Sequence, residues 1–407
     1  MNRTAEPYLK VTELVNAFAS SRVLQVAMSL DLFTRLANQD KTAAQLAITC
    51  DVDPHALELL LDTLTSQGFL QKHNGRYYDT PTSQTYLAHE GPKYLGHYIR
   101  HMGRQWDYWG KLENALRRGR AVGKRTEVVD DPEATEDYVR GLHELALASG
   151  EARYMSKAIP LRKCRKLLDL GGGPGTYAAM FCRANRALQA VVLDLPSTLK
   201  VTRKILKEFD TSKRVSTLSG DYRNAGKVRG APFDVVLISN VLQYEDAATS
   251  AAILRKAHDA LKPGGLLIMK DHIVSADHTQ PPHAALFSLE MFLTTKGRAY
   301  SFAEVSGWLD TTGFIDAVEV PMEAPMDASL ILALRAGKPA VAVLPKPAAK
   351  VELNNGESPA APAPAGISPE PPAPPKRASS PRTRNAAPTK ARKNAAGAAT
   401  KTKSRSS

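Results

Sequence analysis

Asp169-Leu-Gly-Gly-Gly-Pro-Gly-Thr176 follows a short apolar run, Lys166–Leu170, and leads into a helical pattern. Its glycines, spaced as Asp169-x-Gly171-x-Gly173-x-Gly175, allow positive φ and let the main chain approach a ligand closely. The first amides of the helix that follows open onto the same crevice. A dinucleotide loop, GxGxxG, needs glycine at position 176, where Thr176 stands. A phosphate-binding P-loop ends in Gly-Lys-Ser/Thr, and Pro174-Gly175-Thr176 supplies no lysine.

Beyond this loop, strand and helix patterns alternate. Residues 189–193, 215–218, 233–239 and 266–270 read as further buried strands with helical stretches between them. That alternation predicts a parallel sheet covered on both faces. Residues 315–320 and 330–334 are close enough in sequence to pair antiparallel at an edge.

Such sheets bind ligands at the carboxyl ends of their strands, and acidic residues stand there. Val191-Val192-Leu193-Asp194 ends the second strand with a carboxylate about 20 residues past the loop, placed to accept both hydroxyls of a ribose. Ser219-Gly220-Asp221-Tyr222 ends the third. Asp221 is placed for an adenine amine, and Tyr222 for packing on the ring. An acid before a GxGxG loop, with further carboxylates in register, is the pattern of S-adenosylmethionine enzymes. That cofactor is expected on Asp169, Gly171, Gly173, Gly175, Asp194, Leu195, Asp221, Tyr222 and Ser239.

The first part of the chain, 1–95, reads differently. Residues 11–37 place Leu14, Val15, Phe18, Val23, Val26, Ala27, Leu30 and Phe33 near helical spacing. Thr42 opens a short helix, and Asp53-Pro54 opens another as N-cap and first-turn proline. Residues 69–80 read as a hairpin turning at Asn74-Gly75. Helix, helix, hairpin is the plan of a winged helix, which raises DNA binding. Yet the second helix carries His55, Glu58 and Asp62 and no Lys or Arg, so phosphates would repel it. A dimer-forming module fits better, and no specific nucleic-acid partner is expected. Linking helices over 96–160 then join it to the sheet domain at 161–337, across a polar connection at 119–132.

The formal charge of +13 is unevenly placed. From Lys338 onward there are 13 Lys/Arg against 3 Asp/Glu, a net +10, so the preceding 337 residues carry +3. This stretch holds 13 of the 27 prolines and no Phe, Trp or Tyr, so 338–407 is expected to be a disordered tail. Weak contact with polyanions is the most its charge alone predicts. Cys50, Cys164 and Cys182 form no CxxC pair, which fits a reducing cytoplasm and argues against a zinc site. Nowhere do 18 apolar residues run together, so no membrane span is expected.

These residues resemble the winged-helix small-molecule O-methyltransferases, the family of the caffeic acid, acetylserotonin and polyketide-tailoring enzymes. The resemblance covers about residues 10–337. It rests on the glycine loop, Asp194, Gly220-Asp221-Tyr222, Asp234-Val-Val-Leu-Ile-Ser-Asn-Val-Leu, Leu261-Lys-Pro-Gly-Gly and the late Gly297-Arg-Ala-Tyr-Ser-Phe. It implies a class I methyltransferase fold: a seven-stranded, mostly parallel sheet with a reversed last strand. It also implies an intertwined homodimer built from the N-terminal helices, and metal-independent methylation of a small acceptor.

One departure bears on mechanism. Where the family places His-Asp-Trp and uses that His as base, this chain has Gln243-Tyr244-Glu245. The Glu that the family often places in the segment aligned with Lys296-Gly297-Arg298 is absent too. A glutamine can hydrogen-bond a substrate oxygen but cannot take its proton. Ionising a phenol of pKa about 10 at pH 7 costs about 4 kcal/mol. Three solutions stay open: another histidine acts as base, with His272 foremost and His278 and His283 on the loop after it; the acceptor is already acidic; or the acceptor atom is carbon or nitrogen. Gln243 and His272 are therefore the candidate catalytic residues. The stretches 135–159 and 284–295 are expected to wall the acceptor pocket, with Phe287, Met291 and Phe292 as lining. Residues 272, 278 and 283 lack the helical i, i+4 pairing of a metal site. A winged-helix regulator with a cofactor-sensing sheet domain is the reading from another class.

Overall fold

The computed structural model describes residues 7–124, 130–322 and 328–338. Residues 339–407 of the expected tail, and 125–129 of the polar connection, lie outside them.

The helical spacing at the N-terminus yields two helices rather than one. Pro7–Ser29 ends where Asp31 takes φ 54°, and Leu32–Leu36 follows as a short separate helix. The bend lets Ala27, Met28, Leu32, Phe33 and Leu36 turn into one core with Leu46, Leu57, Leu61 and Leu64. A straight helix would carry half of them past it. Thr42 caps Ala43–Cys50 in a reciprocal capping box with Gln45, and Asp53 caps Pro54–Ser66. The hairpin pairs β1 (Leu70–His73) with β2 (Arg76–Asp79). Asn74 at φ 50° and Gly75 at φ 73° make the left-handed two-residue turn that strand twist favours. Lys72 on β1 reaches back to Glu58 at 3.3 Å and Asp62 at 2.7 Å. The hairpin's Lys72 is thus committed to two carboxylates of the second helix.

The linking region holds Gly96–Arg104, Trp106–Trp109, Leu112–Arg118, Pro132–Ala148 and Glu151–Ala158. Helix Gly96–Arg104 packs between Pro7–Ser29 on one side and Pro132–Ala148 on the other. Gly141 permits that approach, because a Cβ there would stand 2.7 Å from the Tyr98 Cα. Arg100 and Arg104 both donate to the buried Asp137, at 3.0 and 3.2 Å.

The sheet runs β10-β11-β7-β6-β3-β4-β5. Its strands are β3 (Lys166–Leu170), β4 (Gln189–Asp194), β5 (Val215–Ser219), β6 (Phe233–Ser239), β7 (Leu261–Asp271), β10 (Phe314–Pro321) and β11 (Ser329–Arg335). All neighbours are parallel except β11, which is antiparallel to both β7 and β10. Successive residues alternate faces: Leu167 enters one core with Phe181 and Val192, and Leu168 the other with Val236 and Ile253. Lys262-Pro-Gly-Gly, just ahead of the apolar run 266–270, lies inside β7 as an irregularity, with Gly264 at φ 74° and a register shift against β6. A small parallel pair, β8 (Ile273–Val274) with β9 (Tyr300–Ser301), follows β7. The strand order reverses on either side of β3, so the loops after β3, β4 and β6 open onto one crevice.

Candidate active site

The glycine loop takes its shape from three left-handed glycines: φ is 73° at Gly171, 52° at Gly173 and 72° at Gly175. The Gly171 amide donates to Leu193 O at 2.8 Å, which ties the loop to β4. The Gly173 amide donates to Asp194 Oδ2 at 2.9 Å, and Leu195 N donates to Asp194 Oδ1 at 2.7 Å. The other side of Gly173 is open, with Leu142 Cδ1 the nearest atom, 4.0 Å from where a Cβ would stand.

Asp169 is fully buried beneath Gly172, and neither carboxylate oxygen has a hydrogen-bond partner among the described residues. Burial first, and the neighbouring Asp194 second, push its pKa up to about 8. A buried acid without a partner is costly, and a cationic ligand group would relieve it. An unpaired acid, an amide edge and glycine clearance are what the amino-acid end of S-adenosylmethionine requires, so the residues present fit that cofactor.

At the end of β5, Asp221 is held by Arg223, whose Nη2 lies 2.7 Å from Oδ2; the hydrogen bonds from Arg223 keep the carboxyl below its ordinary pKa. Tyr222 is buried beneath Gly171, and its hydroxyl donates to Glu245 Oε1 at 2.9 Å. Its ring therefore braces the glycine loop from below. At the end of β6, the Ser239 Oγ, Asn240 Oδ1 and Gln243 Oε1 atoms are buried with no hydrogen-bond partner among the described residues. Asn240, at φ 54°, turns the chain into the short 3-10 turn Leu242–Tyr244.

A cavity of about 390 Å³ lies beside these groups, a size suited to a small molecule. Asn240, Gln243, Lys270 and His272 line it from the strand ends, and Tyr138, Leu142 and Leu145 from Pro132–Ala148. Phe287 and Met291 line it from Pro282–Thr294, as expected. Phe292 is not among the lining residues: one step on from Met291, it falls outside the stripe 283, 286, 287, 290, 291 and 294.

Several wall residues were not legible. Tyr98, His101, Gln105 and Tyr108 come from helices far upstream in the chain. His101 is held neutral, its pKa lowered by burial to about 4. Lys270 and Glu151 form a buried ion pair at 2.8 Å, and the Tyr177 hydroxyl donates to the second Glu151 oxygen at 2.8 Å. In the sequence Lys270 reads only as the end of a strand. Asp271 is buried next to His272, its pKa raised by burial to about 7.

His272 faces the cavity with its ring centroid 4.4 Å from that of Phe287 and 6.0 Å from that of His283. His278 does not join them; its Nδ1 lies 2.9 Å from Arg298 Nη1. Among the described residues, no group of three or more His, Cys, Asp or Glu is gathered to hold a metal ion.

Comparison with known proteins agrees with this geometry. Residues 109–315 match the family model of the O-methyltransferase domain, and residues 12–89 that of the O-methyltransferase dimerisation domain. The tetracenomycin polyketide synthesis 8-O-methyl transferase TcmO of Streptomyces glaucescens is 29% identical over 322 residues, 77% of this chain and 94% of that protein. The 3-hydroxy-5-methyl-1-naphthoate 3-O-methyltransferase of Streptomyces sahachiroi is 27% identical over 335 residues, 80% and 95% of the two chains. Among solved structures, human N-acetylserotonin methyltransferase in complex with S-adenosylmethionine matches with a TM-score of 0.73 at 23% identity, over 83% of this chain and 100% of that one. The chain belongs to the O-methyltransferase family, carries both its dimerisation and its catalytic domain, and is an S-adenosylmethionine-dependent methyltransferase.

Proposed function

We propose that this chain transfers a methyl group to a hydroxyl oxygen of a small aromatic or polyketide-like acceptor, working as a homodimer. One observation carries the reading: the glycine loop, with its unpaired buried Asp169, opens beside a cavity lined by Gln243 and His272.

Asp169 and the loop amides would hold the amino-acid end of the cofactor, Asp194 and Leu195 the ribose, and Asp221, Tyr222 and Ser239 the adenine side. When bound, S-adenosylmethionine supplies a methyl group on a sulfonium, open to in-line attack. The chain supplies position, which alone is worth about 7–11 kcal/mol when two reactants are fixed in line. Gln243 Oε1 accepts a hydrogen bond from the acceptor hydroxyl and aims its oxygen. His272, on the same cavity wall, takes the proton. The helix Pro7–Ser29 supports the dimer, since Leu14, Val15 and Phe18 stand exposed at 75%, 62% and 60%. The reading includes a cytoplasmic setting, which three unpaired thiols support.

The test is calorimetry with S-adenosylmethionine on the wild type and on Asp194→Ala, with the fold of both checked. Micromolar binding that Asp194→Ala weakens about tenfold or more, followed by labelled methyl transfer to a panel of hydroxyaromatics, is expected. A folded dimer that binds no cofactor would sink the reading.

A further inference from the structure

Helix Pro282–Thr294 turns His283, Phe287, Glu290 and Met291 toward the acceptor cavity. Among them Glu290 does not suit an apolar wall. No hydrogen bond or ion pair holds its carboxyl among the described residues, and burial alone acts on it, raising its pKa to about 7. A glutamate merely bathed in solvent would keep its ordinary value. Tyr98, on helix Gly96–Arg104, lines the same cavity. Of the two lysines that line the cavity, Lys270 is paired with Glu151 at 2.8 Å, and among the described residues no ion pair joins Lys124 to Glu290.

An acid without a cation, in a space walled by Tyr98, Tyr138 and Phe287, is complementary to a planar molecule carrying positive charge. Charge-assisted hydrogen bonds are roughly twice as strong as neutral ones, and aromatic faces attract cations. We propose that Glu290 is a specificity-determining residue and that the acceptor is an aromatic hydroxyl compound with a protonatable nitrogen, seated on Glu290 while its hydroxyl lies at Gln243. This deepens the methyl-transfer reading and rests on it.

Matched pairs test the proposal: tyramine with 4-propylphenol, and 3-(aminomethyl)phenol with 3-ethylphenol. Each compound is titrated by calorimetry into the full chain saturated with S-adenosylhomocysteine. The amine of each pair should bind about tenfold or more tightly than its neutral isostere. Glu290→Gln should reduce that advantage to about twofold or less by weakening the amines, with cofactor binding as the check that the fold is kept, and Glu290→Asp should retain part of it. Equal binding within the pairs by the wild type, or an advantage that survives Glu290→Gln, overturns the proposal. So does a chain that binds S-adenosylmethionine but neither amine up to millimolar concentration. A wild-type chain that binds no cofactor would overturn the methyltransferase reading beneath it, and the two failures are thereby distinguished.

Discussion

Gly297 lies against the main chain of Gln243, so closely that a side chain at 297 would overlap the Gln243 carbonyl. The same segment reaches the next turn through Tyr300, whose hydroxyl donates to Glu245 O at 2.6 Å. The Gly297-Arg-Ala-Tyr segment is therefore a clamp that fixes where Gln243 stands. Gly297→Ala should push the 3-10 turn out of place and lower kcat by about tenfold or more, as positioning losses do. The cofactor Kd should stay within about threefold. Steady-state kinetics beside calorimetry reads both, and an unchanged kcat would show that the turn tolerates the shift.

The buried Lys270–Glu151 pair gives a stability prediction. Removing one partner leaves an uncompensated charge, a loss of about 3–5 kcal/mol. Lys270→Met and Glu151→Gln should each lower the urea midpoint, and the double variant should recover most of the loss. If the two single losses simply added, the pair would not be acting as a unit.

Asp169 predicts how stability depends on pH. Its folded pKa of about 8 lies far above the ordinary 3.8, so between those values the folded chain keeps a proton that the unfolded chain has released. The stability this group contributes is fully present below about pH 3.8 and lost by about pH 8. Asp271, raised to about 7, works in the same direction. Asp169→Asn should remove part of this slope: without cofactor, its urea midpoint should gain on the wild type as pH rises from about 5 to about 8. It should also weaken S-adenosylmethionine binding. A pH-independent gap between the two proteins would place the titration elsewhere.

The exposed face of Pro7–Ser29 predicts the outcome of charge insertion. Leu14→Glu with Phe18→Glu puts two acids on a surface expected to be buried between copies. Sedimentation velocity should show monomer where the wild type is dimer, with helical circular dichroism retained. A double variant that sediments as the wild type would move the interface off this helix.

The sheet and the glycine loop were legible because their signals are local. The apolar run 166–170, the glycines at 171, 173 and 175 and the carboxylate of Asp194 lie within one stretch of chain, and each constrains its neighbours' backbone. The edge pair β10 and β11 was legible for the same reason. The break at Asp31 was not, because residues on both sides keep helical spacing and only the N-terminal core decides where the helix must turn. The Lys270–Glu151 pair joins two charges more than a hundred residues apart, and neither position stands out in its own segment. His101 and Tyr98 escaped notice because periodicity tells that a helix has an inward face but not what that face will meet. Glu290 sits in an apolar stripe where one acid reads as an ordinary solvent-facing residue until the cavity beside it is seen.

Helix Gly96–Arg104, held between Pro7–Ser29 and Pro132–Ala148, contributes Tyr98, His101 and Met102 to the cavity wall. Trp106, just past its end, packs at a tilt against Phe18, ring centroids 6.0 Å apart, and carries Arg22 over its ring at 5.1 Å. The cavity wall is thus assembled from both halves of the gene product, whereas the glycine loop comes from one. A chimera that grafts residues 161–337 onto the N-terminal half of a relative would keep the glycine loop, Gln243 and Glu290 and exchange only the wall formed by Tyr98, His101 and Met102. Recombination at that junction is the short route to new products.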